Sequence, residues 1–483
     1  MGDGLKNKMI TGLAWSTVNV FGVQIIQLLV GIFLARILHV EEFGQIGILF
    51  FFVGISTVLI DGGFGQALIR KKEATQVDFS TMFYINFLLS IVIYIILFFA
   101  TPSIVTFFNL PTLTTPARIL FLSIILFSFY FIQQTQLTKK LNFKANALVN
   151  ILSVMISAIV ALSFAYKGYG IWVLVFQQLS FHTSKALIFP FFLRWKPSFS
   201  FSWNFVRESW KFSIGIFGQS LLNVIFTNIY TLLIGKFDTV RNVGYYTQAN
   251  KYSETVNVAS NSILSAGTFP IFAQVHDDQP RLLRIYRRLV SSVSMLTFPL
   301  AIFLIVAAEP LIITLITDKW LESVILFQLL IVSNIFYPNY TININILNAR
   351  GESKNSFKLE IFKRVIIILS IAATFSFGIK IMLVGLILAN ISAFAFSMLL
   401  IKKSIVHYIR HQILDIATTM ALSVFLGAIV YFFNFTNYSP LIKLILEAGS
   451  FVLLYITAVR FIFKDKWMEA QVAILKKMSS FKN

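Results

Sequence analysis

A chain of 483 residues that is 57% hydrophobic and only 12% charged lacks the ionic surface of a soluble protein, in which about a quarter of residues are charged. Its net charge of +20 would suit nucleic acid if the cations were clustered, but they are scattered in short stretches between apolar segments, which excludes that reading. The absence of cysteine excludes disulfides and thiolate metal sites.

At roughly 20 apolar residues per crossing, fourteen transmembrane spans are predicted, near 10–37, 43–69, 79–101, 116–137, 146–166, 169–193, 207–235, 243–272, 285–307, 322–348, 358–378, 381–402, 412–433 and 442–463. The segment Met1–Lys8 is polar and has no small-residue cleavage site, so the first apolar stretch reads as a retained span. With the N-terminus in the cytoplasm, thirty of the forty Lys and Arg fall on the cytoplasmic side. The other side receives eight: Arg36, Arg118, Lys167, Lys236, Arg241, Lys319, Lys380 and Lys443. Lys185 and Lys251 fall inside spans. The bias persists along the chain, as the positive-inside rule requires, and puts both ends in the cytoplasm. Every loop is short, so function is expected inside the membrane bundle.

An internal repeat divides the chain. Displaced by 200 residues, Leu34-Ala-Arg-Ile-Leu-His-Val-Glu-Glu-Phe-Gly44 lies against Ile234-Gly-Lys-Phe-Asp-Thr-Val-Arg-Asn-Val-Gly244. The shift matches Arg36 with Lys236, Val40 with Val240 and Gly44 with Gly244, and pairs Asn19 with Gln219. Two parallel six-span lobes are expected, 1–200 and 201–405, followed by spans 13–14 and a cytoplasmic tail over 406–483.

Polar residues inside spans are costly and are functional candidates by default. Span 2 ends in Asp61-Gly62-Gly63-Phe64-Gly65-Gln66. Either this is a close-packed crossing with Asp61 capping a broken helix, or it is a hinge whose carboxylate binds an ion or pairs with Lys185. Span 7 carries Gln219, Asn223, Thr227 and Tyr230. In span 8, Thr247, Asn250, Glu254, Asn257 and Asn261 recur at three- and four-residue steps and stack on one face. Lys251 borders that face, close enough to Glu254 to pair with it. Span 10 carries Asn334, Thr341, Asn345 and Asn348, and Pro338 is expected to kink it. Such stripes serve either as helix–helix hydrogen-bonding glue or as the lining of a polar cavity; three striped helices in one half favour the cavity. No catalytic or metal-ligating constellation and no phosphate loop is present in the sequence.

At these residues the chain resembles a known family. Leu34-Ala-Arg-Ile-Leu, Glu42-Phe-Gly44 and Asp61-Gly-Gly-Phe-Gly-Gln-Ala-Leu-Ile69 are similar to the opening of Wzx-type polysaccharide exporters of the MOP superfamily, especially colanic-acid or amylovoran exporter-like members. Gly244-Tyr-Tyr, Phe269-Pro270, Asp277-Asp278 before Arg281-Leu282, and Ala308-Glu-Pro-Leu311 with Lys319-Trp320 extend the likeness. The resemblance implies an all-α fold of two six-helix lobes (MATE/MOP-like) plus two extra helices. It also implies alternating access and a substrate of oligosaccharide joined through pyrophosphate to a polyprenol. On that basis Lys251 and Arg36 are the candidates for the phosphate. Asn250, Glu254, Asn257, Gln219, Asn223 and Asn345 are those for the sugar, and Asp61, Gly62, Gly63, Lys185 and Pro338 are hinge or ion-coupling candidates. No cofactor is implied, and proton or sodium is the coupling candidate. Membrane lipids, a polysaccharide polymerase and export machinery are the implied partners, nucleic acid is not, and the location is the bacterial inner membrane. The rivals are a MATE-type drug or cation exporter, whose cavity should be rich in carboxylates; a membrane glycosyltransferase or polymerase, which should carry a sizeable external loop; and a lipid scramblase.

Overall fold

A computed structural model describes residues 3–265, 272–273, 275, 278–402, 408–433 and 438–462. The expected end of span 8 beyond Ser265, Phe269-Pro270, His276, Asp277, His407 and the tail after Ile462 lie outside the described residues, as does the side chain of Asn261. Contacts divide the chain into two units, Met1–Gln248 and Ala249–Asn483.

The first unit holds α1 (Asp3–Ile37), α2 (Val40–Asp61), α3 (Phe64–Arg70), α4 (Gln76–Phe107), α5 (Thr114–Leu120), α6 (Leu122–Lys139), α7 (Phe143–Tyr166), α8 (Trp172–Phe192), α9 (Trp203–Phe237) and the start of α10 (Val240–Ser265). The second holds the rest of α10, α11 (Gln279–Val306), α12 (Ala308–Ile316), α13 (Glu322–Asn334), α14 (Tyr337–Ala349), α15 (Ser353–Thr374), α16 (Ile379–Lys402), α17 (Tyr408–Phe432) and α18 (Pro440–Ile462). No strand occurs among the described residues. The protein is an all-α polytopic membrane protein, and among the described residues eleven helical stretches are long and apolar enough to cross a bilayer. The three expected spans outside that set are the polar ones: α8 with Lys185, α10 with its amide stripe, and α15 with Lys358, Lys363 and Arg364. Each is nevertheless a helix, of 21, 26 and 22 residues respectively.

α4 shows how these helices sort their faces. Leu88, Val92, Ile95, Ile96 and Phe99, at three- and four-residue steps, are exposed, as suits a lipid-facing stripe. Ser90 on the opposite face is buried, its hydroxyl 3.3 Å from that of Ser128; near the helix start, the Ser80 and Ser198 hydroxyls lie 3.0 Å apart. Thr81 Oγ1 accepts from the Ser202 amide at 2.8 Å. In the second unit α17 and α18 are joined to α11 by Leu426, Val430 and Phe451 packing with Ile302, Phe303 and Val306.

The repeat is visible in the backbone. α1 and α9 are both 35 residues long, begin and end 200 positions apart, and are followed by α2 and α10 at Val40 and Val240. Within the first unit, matched positions of α2 and α10 meet. A Cβ on Gly44 would sit 2.0 Å from the Val240 carbonyl oxygen, and one on Gly244 would sit 2.1 Å from that of Val40. A Cβ on Gly47 would meet Thr247 Oγ1 at 2.9 Å. Arg241 pairs with Glu41 at 3.5 Å. Residues facing their own repeat partners make a pseudo-two-fold crossing, as in an isologous interface.

Gly44→Ala should therefore force two helix backbones apart, at a cost of about 1–3 kcal/mol or more. Gly215→Ala, where an added Cβ has nothing within 4 Å, should be neutral or stabilise α9 by up to ~1 kcal/mol. Thermal unfolding of the purified variants in detergent checks this. Equal melting temperatures for the two would refute the tight crossing.

Candidate transport site

The motif at the end of α2 folds as its residue types require. Gly62 and Gly63 have φ of 54° and 78°, a left-handed pair that glycine adopts without steric cost. A Cβ on Gly63 would also lie 2.3 Å from the Ser213 carbonyl oxygen, so α9 crosses here at backbone contact. Asp61 Oδ1 accepts from the Gly65 amide at 2.9 Å, holding the start of α3. The same carboxylate lines a cavity of about 440 Å³ in the first unit, with Thr57 of α2, Tyr130 of α6, Gln178 and His182 of α8 and Ser220 of α9.

A buried polar chain forms one wall. Gln178 Nε2 donates to His182 Nε2 at 2.9 Å, which leaves the Nδ1 proton to be donated to the Tyr130 hydroxyl at 2.8 Å. Lys185, one turn further along, is also buried, with Nζ 4.9 Å from the Tyr130 ring centroid and 4.8 Å from that of Phe181. It is held by aromatic faces; no ion pair to Asp61 is found among the described residues. The sequence reading missed Tyr130, Gln178 and His182, because only the fold brings α6 and α8 together.

On α9, Gln219, Asn223 and Thr227 are all exposed at four-residue steps near the middle of the helix. Arg36 is exposed in the last turn of α1.

In the second unit, Asn250 precedes Glu254 by one turn on α10; no Lys251–Glu254 ion pair is found among the described residues. Lys251 is half-buried. The tenth span is divided into α13 and α14, with Pro338 in the first turn of α14, where its missing N–H breaks no helical hydrogen bond. Asn257, Asn334 and Pro338 line a cavity of about 20 Å³, room for roughly one water. Asn345 is half-buried. The other side of α14, not singled out from sequence, is glue: Tyr286 donates to Asn343 Oδ1, and Asn343 Nδ2 donates to Ser397 at 2.8 Å. Asn339 Nδ2 donates to Ser294 at 3.3 Å. These bonds tie α11, α14 and α16 together.

A further cation, not singled out from sequence, lies within a helix. Lys363 is ten residues into α15, ~15 Å along it, with Nζ 5.2 Å from the Tyr337 ring centroid and 4.9 Å from that of Tyr340. Tyr340 donates to Glu360 at 3.1 Å.

A family model described as polysaccharide biosynthesis protein matches residues 33–325. The chain belongs to this family. A lipopolysaccharide biosynthesis protein of Escherichia coli (strain K12), WzxC, is 24% identical over 369 residues, covering 75% of this chain and 74% of that protein. The succinoglycan biosynthesis transport protein ExoT of Rhizobium meliloti (strain 1021) is 24% identical over 308 residues, covering 64% and 62%. Among solved structures, the lipid II flippase MurJ in an inward closed conformation superposes with a TM-score of 0.74 at 14% identity, covering 94% of this chain and 99% of that one. An inward-facing multidrug resistance MATE transporter of the MOP superfamily superposes with a TM-score of 0.62 at 16% identity, covering 79% and 95%. The all-α fold shared with MurJ and the MATE transporter is thus present, and in this family member the motif at Asp61 sits on a cavity wall.

Asp61 has two separable features: an acceptor oxygen that holds α3 and a charge beside the cavity. Asp61→Asn keeps the acceptor and should impair transport at near-normal protein level. Asp61→Ala loses the cap as well, worth about 0.5–2 kcal/mol, and should lower abundance too. Complementation and immunoblotting of both variants check this; full transport by Asp61→Asn would leave Asp61 purely structural.

Proposed function

We propose that this protein is a flippase that moves polyprenyl-pyrophosphate-linked oligosaccharide repeat units from the cytoplasmic to the outer leaflet of the inner membrane, by alternating access, for surface polysaccharide biosynthesis. The observation that carries this reading is the exposed strip Gln219, Asn223 and Thr227 at the centre of α9. Amide and hydroxyl groups at that depth are unfavourable against lipid and match the hydroxyls of a glycan. Family membership supplies the biosynthetic setting, and a relative named as a transport protein supplies the activity.

The topology belongs to the same proposal: fourteen spans, both termini cytoplasmic, and six-span lobes over 1–200 and 201–405. A pyrophosphate must be neutralised in transit, since one charge at the bilayer centre costs about 2.5–3.5 kcal/mol even on lenient scales. Lys251 and Arg36 are the proposed partners, joined by Lys363, which is positioned by two tyrosine faces. The MATE-type exporter is the weaker reading, because amides and lysines, not carboxylates, dominate the candidate residues. The name of one relative, a succinoglycan biosynthesis transport protein, speaks for transport over the glycosyltransferase alternative. A polymerase and export machinery are the proposed partners downstream, and proton or sodium the coupling ion.

The test is flipping of a fluorescent polyprenyl-pyrophosphate oligosaccharide in proteoliposomes. Wild type should flip it. Lys251→Gln should slow flipping about tenfold or more, the equivalent of losing one charged contact, while Lys251→Arg retains part of the rate. The double swap Lys251→Glu with Glu254→Lys should stay inactive, because the cation changes depth. Full activity of Lys251→Gln would remove Lys251 from the phosphate site; absence of flipping by wild type would remove the function.

A further inference from the structure

The second unit contains a larger cavity, of about 770 Å³, that the transport reading does not use. It lies where α11 ends and α18 begins, and within the ~300–1,000 Å³ range of small-molecule sites. Three carboxylates, Glu309, Glu322 and Glu447, and one cation, Lys443, line it. Two of the carboxylates have loose ion pairs: Lys443 with Glu309 at 3.9 Å and Lys380 with Glu322 at 3.7 Å. Both distances exceed the ~2.7–2.9 Å of a hydrogen-bonded pair, so these lysines can take up a further anion.

Glu447 is different. The residue is 4% exposed, and Oε2 is buried with no hydrogen-bond partner, the charge of Lys443 one turn earlier acting on the carboxylate without bonding to it. It stands in the second turn of α18, ~10 Å from the helix start. A buried carboxylate oxygen without a donor is costly, and the excess of carboxylates calls for a ligand carrying N–H donors and positive charge. The described Asp, Glu and His residues form no group able to hold a metal ion, which points to an organic cation. The rim is apolar and aromatic: Tyr431, Phe432 and Leu321 are exposed there, as in the aromatic belts at membrane interfaces. The ligand therefore enters from the bilayer.

We infer that this cavity is a binding site for an aminophospholipid headgroup, with a primary ammonium donating to Glu447 and the lipid phosphate meeting Lys443. The inference stands apart from the flippase reading, because it concerns a resident lipid and is read by binding alone.

Native mass spectrometry of the purified full chain tests it, with phosphatidylethanolamine, its mono- and dimethyl derivatives, phosphatidylcholine and phosphatidylglycerol added in turn. Retention by wild type should fall stepwise as methyl groups replace the N–H donors, by about tenfold from phosphatidylethanolamine to phosphatidylcholine, the value of one charged hydrogen bond. Glu447→Gln should abolish that preference, and Glu309→Gln should weaken it. Equal retention of phosphatidylethanolamine and phosphatidylcholine by wild type needs no variant and would overturn the assignment. So would an unchanged preference in Glu447→Gln, or displacement of the lipid by free glucosamine, which would make the site one for an amino sugar.

Discussion

The structure rests on the contact between Gly44 and Gly244, where each glycine faces the carbonyl oxygen that begins the other's helix. No side chain larger than hydrogen fits on either residue without moving backbone. The Glu41–Arg241 pair above it is exposed on both sides, and such pairs contribute about 0–1 kcal/mol. Close backbone packing, not the ion pair, sets the crossing. Because both partners come from matched positions of the repeat, the constraint acts twice, and it explains why the turns after α1 and α9 keep the same register over 200 residues.

From that crossing α2 runs to the Asp61-Gly62-Gly63 break and α10 runs to the amide stripe. Polar groups along these paths fall into two physical classes. Some are fully satisfied by neighbouring helices, as Asn343 is by Tyr286 and Ser397, and those fix the packing. Others, such as Gln219 and Asn223, are left exposed in the middle of a spanning helix, a placement that makes sense only against water or a polar cargo. The helices are broken at Gly62-Gly63 and before Pro338.

Much of this was legible in the sequence because it depends on local chemistry or strict spacing. The repeat was readable to the residue, since Gly44 and Gly244 are irreplaceable where they touch. The breaks were readable because consecutive glycines and proline have few backbone alternatives. The Lys251–Glu254 pairing is a spacing argument, and spacing places two side chains within reach without fixing whether they meet. Tyr130, Gln178 and His182 form no linear pattern, and Asn343 differs from Asn345 only in which face of α14 it occupies. Lys363 carries no signal of its own in sequence, because the start of α15 at Ser353 lies in a charged stretch. Which polar residue meets which neighbour is a property of packing, and hydropathy does not encode it.

The alternating access proposed for this chain predicts that the α2–α10 crossing, the tightest contact between matched helices, opens for cargo to pass. Because the chain has no cysteine, a Glu41→Cys/Arg241→Cys variant can be cross-linked there with a short bis-thiol reagent and assayed in proteoliposomes. Flipping of the lipid-linked oligosaccharide should stop on cross-linking with a non-cleavable reagent, and should return on reduction when a cleavable reagent is used. Flipping that continues at the unlinked rate in fully cross-linked protein would contradict gating by this crossing.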